Sequence, residues 1–269
     1  MTPVELMVER SRQIWNAGVD YQPIATQEVL VSELLARAAD VHWGEAVLDV
    51  AAGTGNTALA AARRGGRVTA VDLGVAGLEM AQSRAAIEGV EVKTELADLQ
   101  ELPFADDTFD VVLSTFGTMY GPDQQKTADE LVRVCRPGGR LGLVSWCPSG
   151  WMADLQSALG EVLPPPPFAL PAPHLWGTVE QYPKLFGDRI RIESSTVLTQ
   201  EFCGESAESQ TKFMLDHLPP WQLLQATLDP GTRAKLVAAI EGSYERANRA
   251  TDGTLQISAE YLQLVATIN

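Results

Sequence analysis

The chain has 269 residues, of which 45% are hydrophobic, and its formal net charge is −15. A chain of this length can bury one sizeable core, so we expect a single domain over residues 1–269, and the lack of an apolar run of about 18 residues argues against a membrane span. The 35 acidic residues outnumber the 20 basic ones, which disfavours nucleic-acid partners and anionic membrane surfaces, because both are bound through lysine and arginine.

Two helical segments are predicted ahead of the first strand, and they should form a helical cover over residues 1–40. Apolar side chains recur at helical spacing over 2–18, and a second run extends over 23–39, where Pro23 suits the first turn of a helix. An acid, Glu5, stands where a secretory leader would be basic or apolar. The three cysteines lack metal-ligand spacing. We therefore expect a cytoplasmic protein without a metal site.

A buried strand, a glycine turn and a helix follow one another at the start of the predicted core, at 47–51, 53–55 and 56–64. Glycine allows the backbone to turn sharply and to approach a ligand, and the start of a helix presents unpaired N–H groups. A second strand, predicted at 67–72, ends in Asp72, whose carboxylate is placed to bind a ribose diol. The segment therefore predicts a site for a nucleoside-type cofactor.

The alternation of strand and helix continues, with strands predicted at 90–95, 109–114 and 140–146 and helices at 75–88 and 122–136. Short apolar strands joined by helices are typical of a parallel sheet covered on both faces. The right-handed crossover rule then favours a doubly wound α/β fold. Residues 41–146 would form the cofactor-binding core.

The alternation stops after Trp146. The proline-rich stretch 147–188 is expected to form neither regular helix nor strand and to fold over the mouth of the sheet as a lid. Further along, a sixth strand is predicted at 190–199, a helical section at 206–250 and a last strand at 259–266. Residues 147–257 would form an insert and helical cap around strand six, and 258–269 the last strand.

The identity of the cofactor is not settled by the glycines, because Gly53-x-Gly55-x-x-Ala58 also satisfies the dinucleotide pattern. Asp49 lies four residues before Gly53. An anion there would repel a pyrophosphate but would suit an ammonium or a sulfonium group. Asp98, which follows the third strand, could reach an adenine amino group.

Five blocks of sequence resemble the class I S-adenosylmethionine-dependent methyltransferases, specifically their ubiquinone-biosynthesis-like small-molecule branch: Val47 to Gly55, Arg67 to Asp72, Leu96 to Phe104, Phe109 to Ser114 and Arg136 to Arg140. The resemblance covers roughly 47–146. It implies a Rossmann-like seven-stranded sheet whose last strand runs antiparallel beside strand five, with a lid or cap between strands five and seven. Ala51 stands where many members have a glycine, and we expect its backbone to keep a negative φ.

The resemblance and the positions of the residues also imply which side chains bind S-adenosylmethionine. Gly53 and Gly55 would allow the backbone to approach the methionine part closely, and Asp49 would interact with that same part, directly or through water. Asp72 would bind the ribose, and Asp98 would read the adenine edge. The full predicted cofactor site consists of Tyr21, Asp49, Ala51, Gly53, Thr54, Gly55, Asp72, Leu73, Asp98, Leu99, Ser114 and Thr115.

The acceptor site is predicted from aromatic residues near the strand ends and in the covering segments, namely Trp15, Phe116, Tyr120, Trp146 and Trp176. Aromatic faces suit both a cationic sulfonium and a flat or apolar acceptor. Phe168, His174 and Trp176 of the proline-rich insert, with the N-terminal helices, would supply the roof. His217 and His174 are the candidate general bases, although alternatives without any base remain open.

The predicted function is transfer of a methyl group from S-adenosylmethionine to an oxygen, carbon or nitrogen atom of a small-molecule metabolite by in-line displacement. The expected partner is that small-molecule acceptor, and the protein would act as a monomer or homodimer. One alternative is a protein that binds the cofactor but catalyses a cyclase- or lyase-type reaction, or none. A nicotinamide-dependent oxidoreductase is a further alternative, for which no hydride-transfer signature is visible.

Overall fold

The computed structural model describes residues 2–164 and 170–269, and its centre is one seven-stranded sheet with the order β3-β2-β1-β4-β5-β7-β6. The strands are β1 (Ala46–Val50), β2 (Arg67–Asp72), β3 (Val92–Leu96), β4 (Phe109–Thr115), β5 (Cys135–Trp146), β6 (Ile190–Gly204) and β7 (Leu255–Ile268). β1 to β5 pair in parallel, and β7 runs antiparallel to both β5 and β6. The predicted doubly wound, Rossmann-like sheet with its antiparallel last strand is confirmed.

The strand order reverses at β1, which has β2 on one side and β4 on the other. Leu48 of β1 pairs with Thr69 of β2 and with Val112 of β4, and Leu48 and Val112 are fully buried. The chain leaves β1 and β4 in opposite directions across the sheet, so a crevice opens at their carboxyl ends. In open α/β sheets this is where ligands bind.

Helices cover both faces of the sheet and its carboxyl edge. They are α1 (Pro3–Trp15), α2 (Gln22–Gln27), α3 (Val29–Ala38), α4 (Asn56–Arg63), α5 (Val75–Glu88), α6 (Gln124–Val134), α7 (Gly150–Val162), α8 (Tyr182–Phe186), α9 (Ala207–His217), α10 (Pro219–Thr227) and α11 (Pro230–Ala247). Among the described residues, no helix is long and apolar enough to cross a membrane.

The expectation that 147–188 lacks regular structure is wrong at both ends of the region, because α7 occupies Gly150–Val162 and α8 occupies Tyr182–Phe186. Pro148 precedes α7, the next proline is Pro164, and the thirteen residues of α7 contain none. Nothing there interrupts the helical hydrogen bonds. α7 packs against α11 and buries Trp151 and Leu155. Phe168 lies outside the described residues.

The predicted helix over 23–39 is two helices, because the backbone breaks at Glu28 between α2 and α3. Glu28 has φ −102° and ψ 5°, and its side chain caps neither helix. The break turns α2 toward the carboxyl ends of the strands, while α3 packs against α4. A carboxyl side chain is thereby brought to the crevice.

The backbone leaves β1 in a left-handed conformation, with φ +55° at Ala51, so the expected negative φ is wrong. This conformation costs about 1–2 kcal/mol for a residue that has a Cβ. The turn is held by bonds from the Ala52 N–H to the Val71 carbonyl and from the Gly55 N–H to the Ala52 carbonyl, both 2.9 Å. Gly117 leaves room for the methyl group, since a Cβ on it would lie 2.5 Å from that of Ala51. Strain of this kind is typical of ligand sites.

Candidate functional site

A cavity of about 620 Å³ lies at the carboxyl ends of β1, β2 and β4, within the size range of small-molecule sites. The strand-end loops form one side of it, which we call the acidic half after Asp49, Asp72 and Asp98. The opposite side, the aromatic half, is lined by side chains from the covering helices and from β4, β5 and β6, including Trp15, Phe116, Trp146, Trp151, Phe202, Trp221 and Tyr244. The two halves form one continuous space.

Asp49 places a buried carboxylate at the wall of this cavity. The residue is 1% exposed, and its Oδ2 accepts a hydrogen bond of 2.8 Å from the N–H of Ala58 in α4. Its Oδ1 is buried without a partner among the described residues. Burial raises the pKa of Asp49 well above its ordinary value, since little offsets the desolvation of the charge. A cation in the cavity would supply the missing partner.

Asp72 ties together the two loops that flank the acidic half. Its Oδ2 accepts from the N–H of Gly53 at 2.8 Å, and its Oδ1 accepts from the N–H of Gly74 at 2.7 Å. Burial raises the pKa of this carboxyl, while the backbone donors oppose the shift. Each carboxylate oxygen has a second lone pair, so the group can still accept from the two hydroxyls of a diol.

The two glycines of the turn have different roles. Gly53 lines the cavity with φ +53°, and a Cβ on it would meet only the Tyr21 ring, at 3.9 Å. Gly55 has φ +86° and does not line the cavity. A Cβ on Gly55 would lie 2.6 Å from the Cβ of Ala81, so this glycine allows α4 and α5 to pack closely.

Asp98 and Leu99 lie on the far side of the acidic half, after β3. The Asp98 Oδ1 accepts from the backbone N–H of Gln100 at 2.9 Å and from its side-chain amide at 3.2 Å. These bonds hold the carboxylate at the cavity wall, where it can accept from an amino group. Leu99 is 8% exposed and supplies an apolar surface beside it.

The aromatic half is built from two clusters. Trp15 makes edge contacts with Tyr21 at 5.6 Å and with Tyr120 at 6.1 Å between ring centroids. Phe116 and Trp146 stack in parallel, with centroids 3.9 Å apart. Further apolar side chains from the helical cap close this half, including Met214, Leu218 and Trp221. Sequence reasoning missed these cap residues, because their apolar spacing is equally typical of helices that pack on a core.

The structure brings most of the predicted site residues to the cavity wall. They are Trp15, Tyr21, Asp49, Ala51, Gly53, Thr54, Asp72, Leu73, Asp98, Leu99, Thr115, Phe116, Tyr120, Trp146 and His174. Burial lowers the pKa of His174. A neutral imidazole is therefore present over a wider pH range.

Four predicted site residues do not line the cavity: Gly55, Ser114, Trp176 and His217. The Ser114 hydroxyl donates to the Val50 carbonyl at 2.7 Å and is buried between strands. Trp176 is fully buried against Tyr182 and Phe186. The His217 Nδ1 lies 3.2 Å from the carbonyl oxygen of Asp20, and the His217 side chain is half-buried. His217 is therefore not placed to act as a general base in this cavity.

A titratable residue between the strand-end loops and the covering helices was absent from the sequence prediction. Glu28 lines the space between the two halves, and its Oε2 lies 3.3 Å from the Tyr21 hydroxyl, which donates to it. Burial raises the pKa of Glu28 to about 8, and the bond from Tyr21 opposes the shift. Nothing in the local sequence marks this acid, because a glutamate within an apolar helical run is ordinarily solvated.

Comparisons with known proteins agree with this geometry. A family model described as a methyltransferase domain matches residues 47–139. An uncharacterised protein of Mycobacterium tuberculosis is 35% identical over 260 residues, which cover 95% of this chain and 93% of that protein. The methyltransferase GfsG of Streptomyces halstedii is 35% identical over 150 residues, 55% of this chain and 54% of that protein.

A solved structure from Bacillus halodurans C-125 has the same fold. Its TM-score to this chain is 0.63 at 20% sequence identity, and the alignment covers 88% of this chain and 97% of that one. The likeness therefore extends beyond the strand-end motifs to the sheet and its covering helices.

Proposed function

The chain belongs to the class I S-adenosylmethionine-dependent methyltransferases, and from this premise we propose that it transfers a methyl group to a neutral, largely apolar small molecule. The observation that carries the proposal is the continuity of this cavity, whose acidic half suits a cationic nucleoside and whose aromatic half suits an apolar acceptor. S-adenosylmethionine supplies an activated methyl group when bound. The protein then has to align the acceptor and exclude water.

The acidic half fits the proposed cofactor in three respects. The unpartnered Oδ1 of Asp49 suits a positive charge near Gly53. Asp72 suits a ribose diol, and Asp98 suits the amino group of adenine. The Asp49 carboxylate beside the glycine turn would repel the pyrophosphate of a nicotinamide dinucleotide, which supports the methyltransferase over an oxidoreductase.

The charge of the cavity wall restricts the acceptor. Its described residues include five carboxylic acids, Asp20, Glu28, Asp49, Asp72 and Asp98, and no lysine or arginine. A phosphate or carboxylate on the acceptor would therefore have no counter-ion and would be repelled. The remaining surface is mostly apolar and includes tryptophan, phenylalanine, leucine and methionine side chains, which favours a molecule with a large apolar body.

A transfer assay tests this proposal. The purified protein would be given methyl-labelled S-adenosylmethionine and sets of apolar molecules that share a body and differ in bearing a hydroxyl, an amine or a carboxylate. We expect labelled product and S-adenosylhomocysteine from a neutral acceptor, and none from its carboxylate analogue. Conversion of an acceptor without consumption of S-adenosylmethionine would instead indicate a cyclase- or lyase-type reaction. Preference for the carboxylate would contradict the account of the cavity.

A further inference from the structure

Glu28 is a half-buried acid of the cavity wall that nothing in the fold requires. It lies at the break between α2 and α3, and its side chain caps neither helix. Two other carboxylates of the cavity wall are held by backbone N–H groups: Asp49 by Ala58, and Asp72 by Gly53 and Gly74. In the part of the chain that the structure describes, the Glu28 carboxyl accepts only from the Tyr21 hydroxyl. Its burial therefore costs stability without tying elements together.

Glu28 also lies where an acceptor would meet the donor. Tyr21, its partner, is near both halves of the cavity, since its ring faces Gly53 and packs against Trp15. Glu28 thus stands between the acidic half and the aromatic half. A polar group on a molecule in the aromatic half would find this carboxyl beside the cofactor loop.

The electrostatic surroundings keep Glu28 ready to take up a proton. The titratable groups that face this part of the cavity from the neighbouring elements are Asp20, Tyr21, Asp49, Asp72, Asp98, Tyr120 and His174. The cavity lining described here offers no lysine or arginine, and burial favours the neutral form of His174. A carboxyl that titrates near neutral pH is well matched to general base catalysis. Binding of a cation nearby would favour its ionised form.

We propose that Glu28 is the catalytic base of this site and that the acceptor presents a hydroxyl group to it. The proposal rests on the proposed function. The acceptor oxygen forms the new bond to the methyl carbon, the carbon–sulfur bond breaks with its electron pair going to sulfur, and the hydroxyl proton passes to the Glu28 carboxylate. The products are a methyl ether, S-adenosylhomocysteine and a proton that Glu28 later releases to solvent. A neutral amine has a free lone pair and needs no such base, whereas a hydroxyl gains nucleophilicity when its proton is removed.

Binding of two probes tests the role without knowledge of the natural acceptor. 2-Naphthol and 2-methoxynaphthalene share an apolar body, and only the first has a hydroxyl that can donate to Glu28. Their affinities would be measured by equilibrium dialysis against protein saturated with S-adenosylhomocysteine. In the wild type we expect 2-naphthol to bind about tenfold more tightly than 2-methoxynaphthalene once Glu28 is ionised, because its hydroxyl then donates a hydrogen bond to a charged group. This preference should grow between about pH 6 and about pH 9.

Three variants make the result specific. Glu28→Gln should abolish both the preference for 2-naphthol and its pH dependence while keeping affinity for S-adenosylhomocysteine. Tyr21→Phe removes the bond that lowers the pKa of Glu28, so the pH at which the preference appears should rise. Glu33→Gln, in α3 and paired with Arg63 outside the cavity, is the matched control and should behave as the wild type.

The outcomes separate the two proposals. A preference for 2-naphthol that persists in Glu28→Gln, or a wild-type cavity that binds neither probe, would overturn the role of Glu28. Failure of the wild type to bind S-adenosylhomocysteine would overturn the proposed function and this inference with it. If Glu28→Gln does not fold, an unshifted pH dependence in Tyr21→Phe would overturn the role, and an upward shift would support it.

Discussion

Replacement of Asp72 by asparagine should weaken the binding of any ligand that carries the adenosine part of the cofactor. The carboxylate is proposed to accept from the ribose hydroxyls while it holds the Gly53 and Gly74 loops through both of its oxygens. An asparagine has one carbonyl oxygen, so its NH2 group must face either a backbone N–H or a hydroxyl. The charge that strengthens these bonds is lost as well.

The size of the effect follows from the bonds involved. Hydrogen bonds to a charged group contribute about 1.5–3 kcal/mol, so loss of the diol contact should raise the Kd by about 10- to 150-fold. The loops also lose a bond, and we expect the free energy of unfolding to fall by about 1–3 kcal/mol. Asp106→Asn is the matched control, because Asp106 is 74% exposed and its ion pair with Arg133 lies at the surface.

Isothermal calorimetry with S-adenosylhomocysteine and with adenosine is the appropriate assay, at a temperature where circular dichroism shows every variant folded. Adenosine has the diol but no methionine part, so Asp72→Asn should lower the affinity for both ligands by the same factor. Equal effects of Asp72→Asn and Asp106→Asn would refute the assignment. If Asp72→Asn weakened the binding of S-adenosylhomocysteine but not that of adenosine, Asp72 would contact the methionine end of the ligand instead.

Three further outcomes are expected. The pKa of Glu28 is raised to about 8 in the folded protein, so its contribution to stability is present at acid pH and is lost as the pH rises from about 4.5 to about 8. In urea denaturation, the free energy of unfolding of the wild type should fall by up to about 4 kcal/mol relative to that of Glu28→Gln across that window. If the free energies of unfolding of the two proteins changed in parallel with pH, the burial of this group would be contradicted. Deletion of residues 1–21 removes Trp15 and Tyr21 from the cavity roof and should leave a folded sheet with little turnover and weakened cofactor binding, whereas full turnover would show that the roof lies elsewhere. His217→Ala should leave turnover and S-adenosylhomocysteine affinity unchanged, because His217 lies outside the cavity, and a large loss of turnover would restore it as a candidate base.

The sheet and the acidic half could be predicted from sequence because their signals are local. A buried parallel strand is a short apolar run, and a strand-end acid or glycine occupies a fixed place relative to it. Asp49, Gly53 and Asp72 therefore lie where their positions in the chain predict. The antiparallel last strand followed from the family resemblance, since no local pattern distinguishes its direction.

The rest of the site depends on how distant segments meet, which the sequence pattern does not specify. Trp176 and Trp151 both follow β5 in regions expected to be irregular, yet Trp176 packs into a separate cluster and Trp151 reaches the cavity from α7. His217 and Glu28 show the same difficulty. The histidine of the helical cap is an obvious candidate from sequence but does not line the cavity, while the glutamate of an apolar helical run lines it because the helix breaks there.

The most direct test of the account is the choice of cofactor by the purified wild-type protein. Calorimetric titrations with S-adenosylmethionine, S-adenosylhomocysteine and the oxidised and reduced nicotinamide dinucleotides would be compared under one set of conditions. The buried acid Asp49 beside the Gly53 turn should admit the first two ligands and repel a pyrophosphate, so we predict saturable binding of both S-adenosyl compounds and none of either dinucleotide. Tight binding of a nicotinamide dinucleotide with no response to S-adenosylhomocysteine would contradict the account.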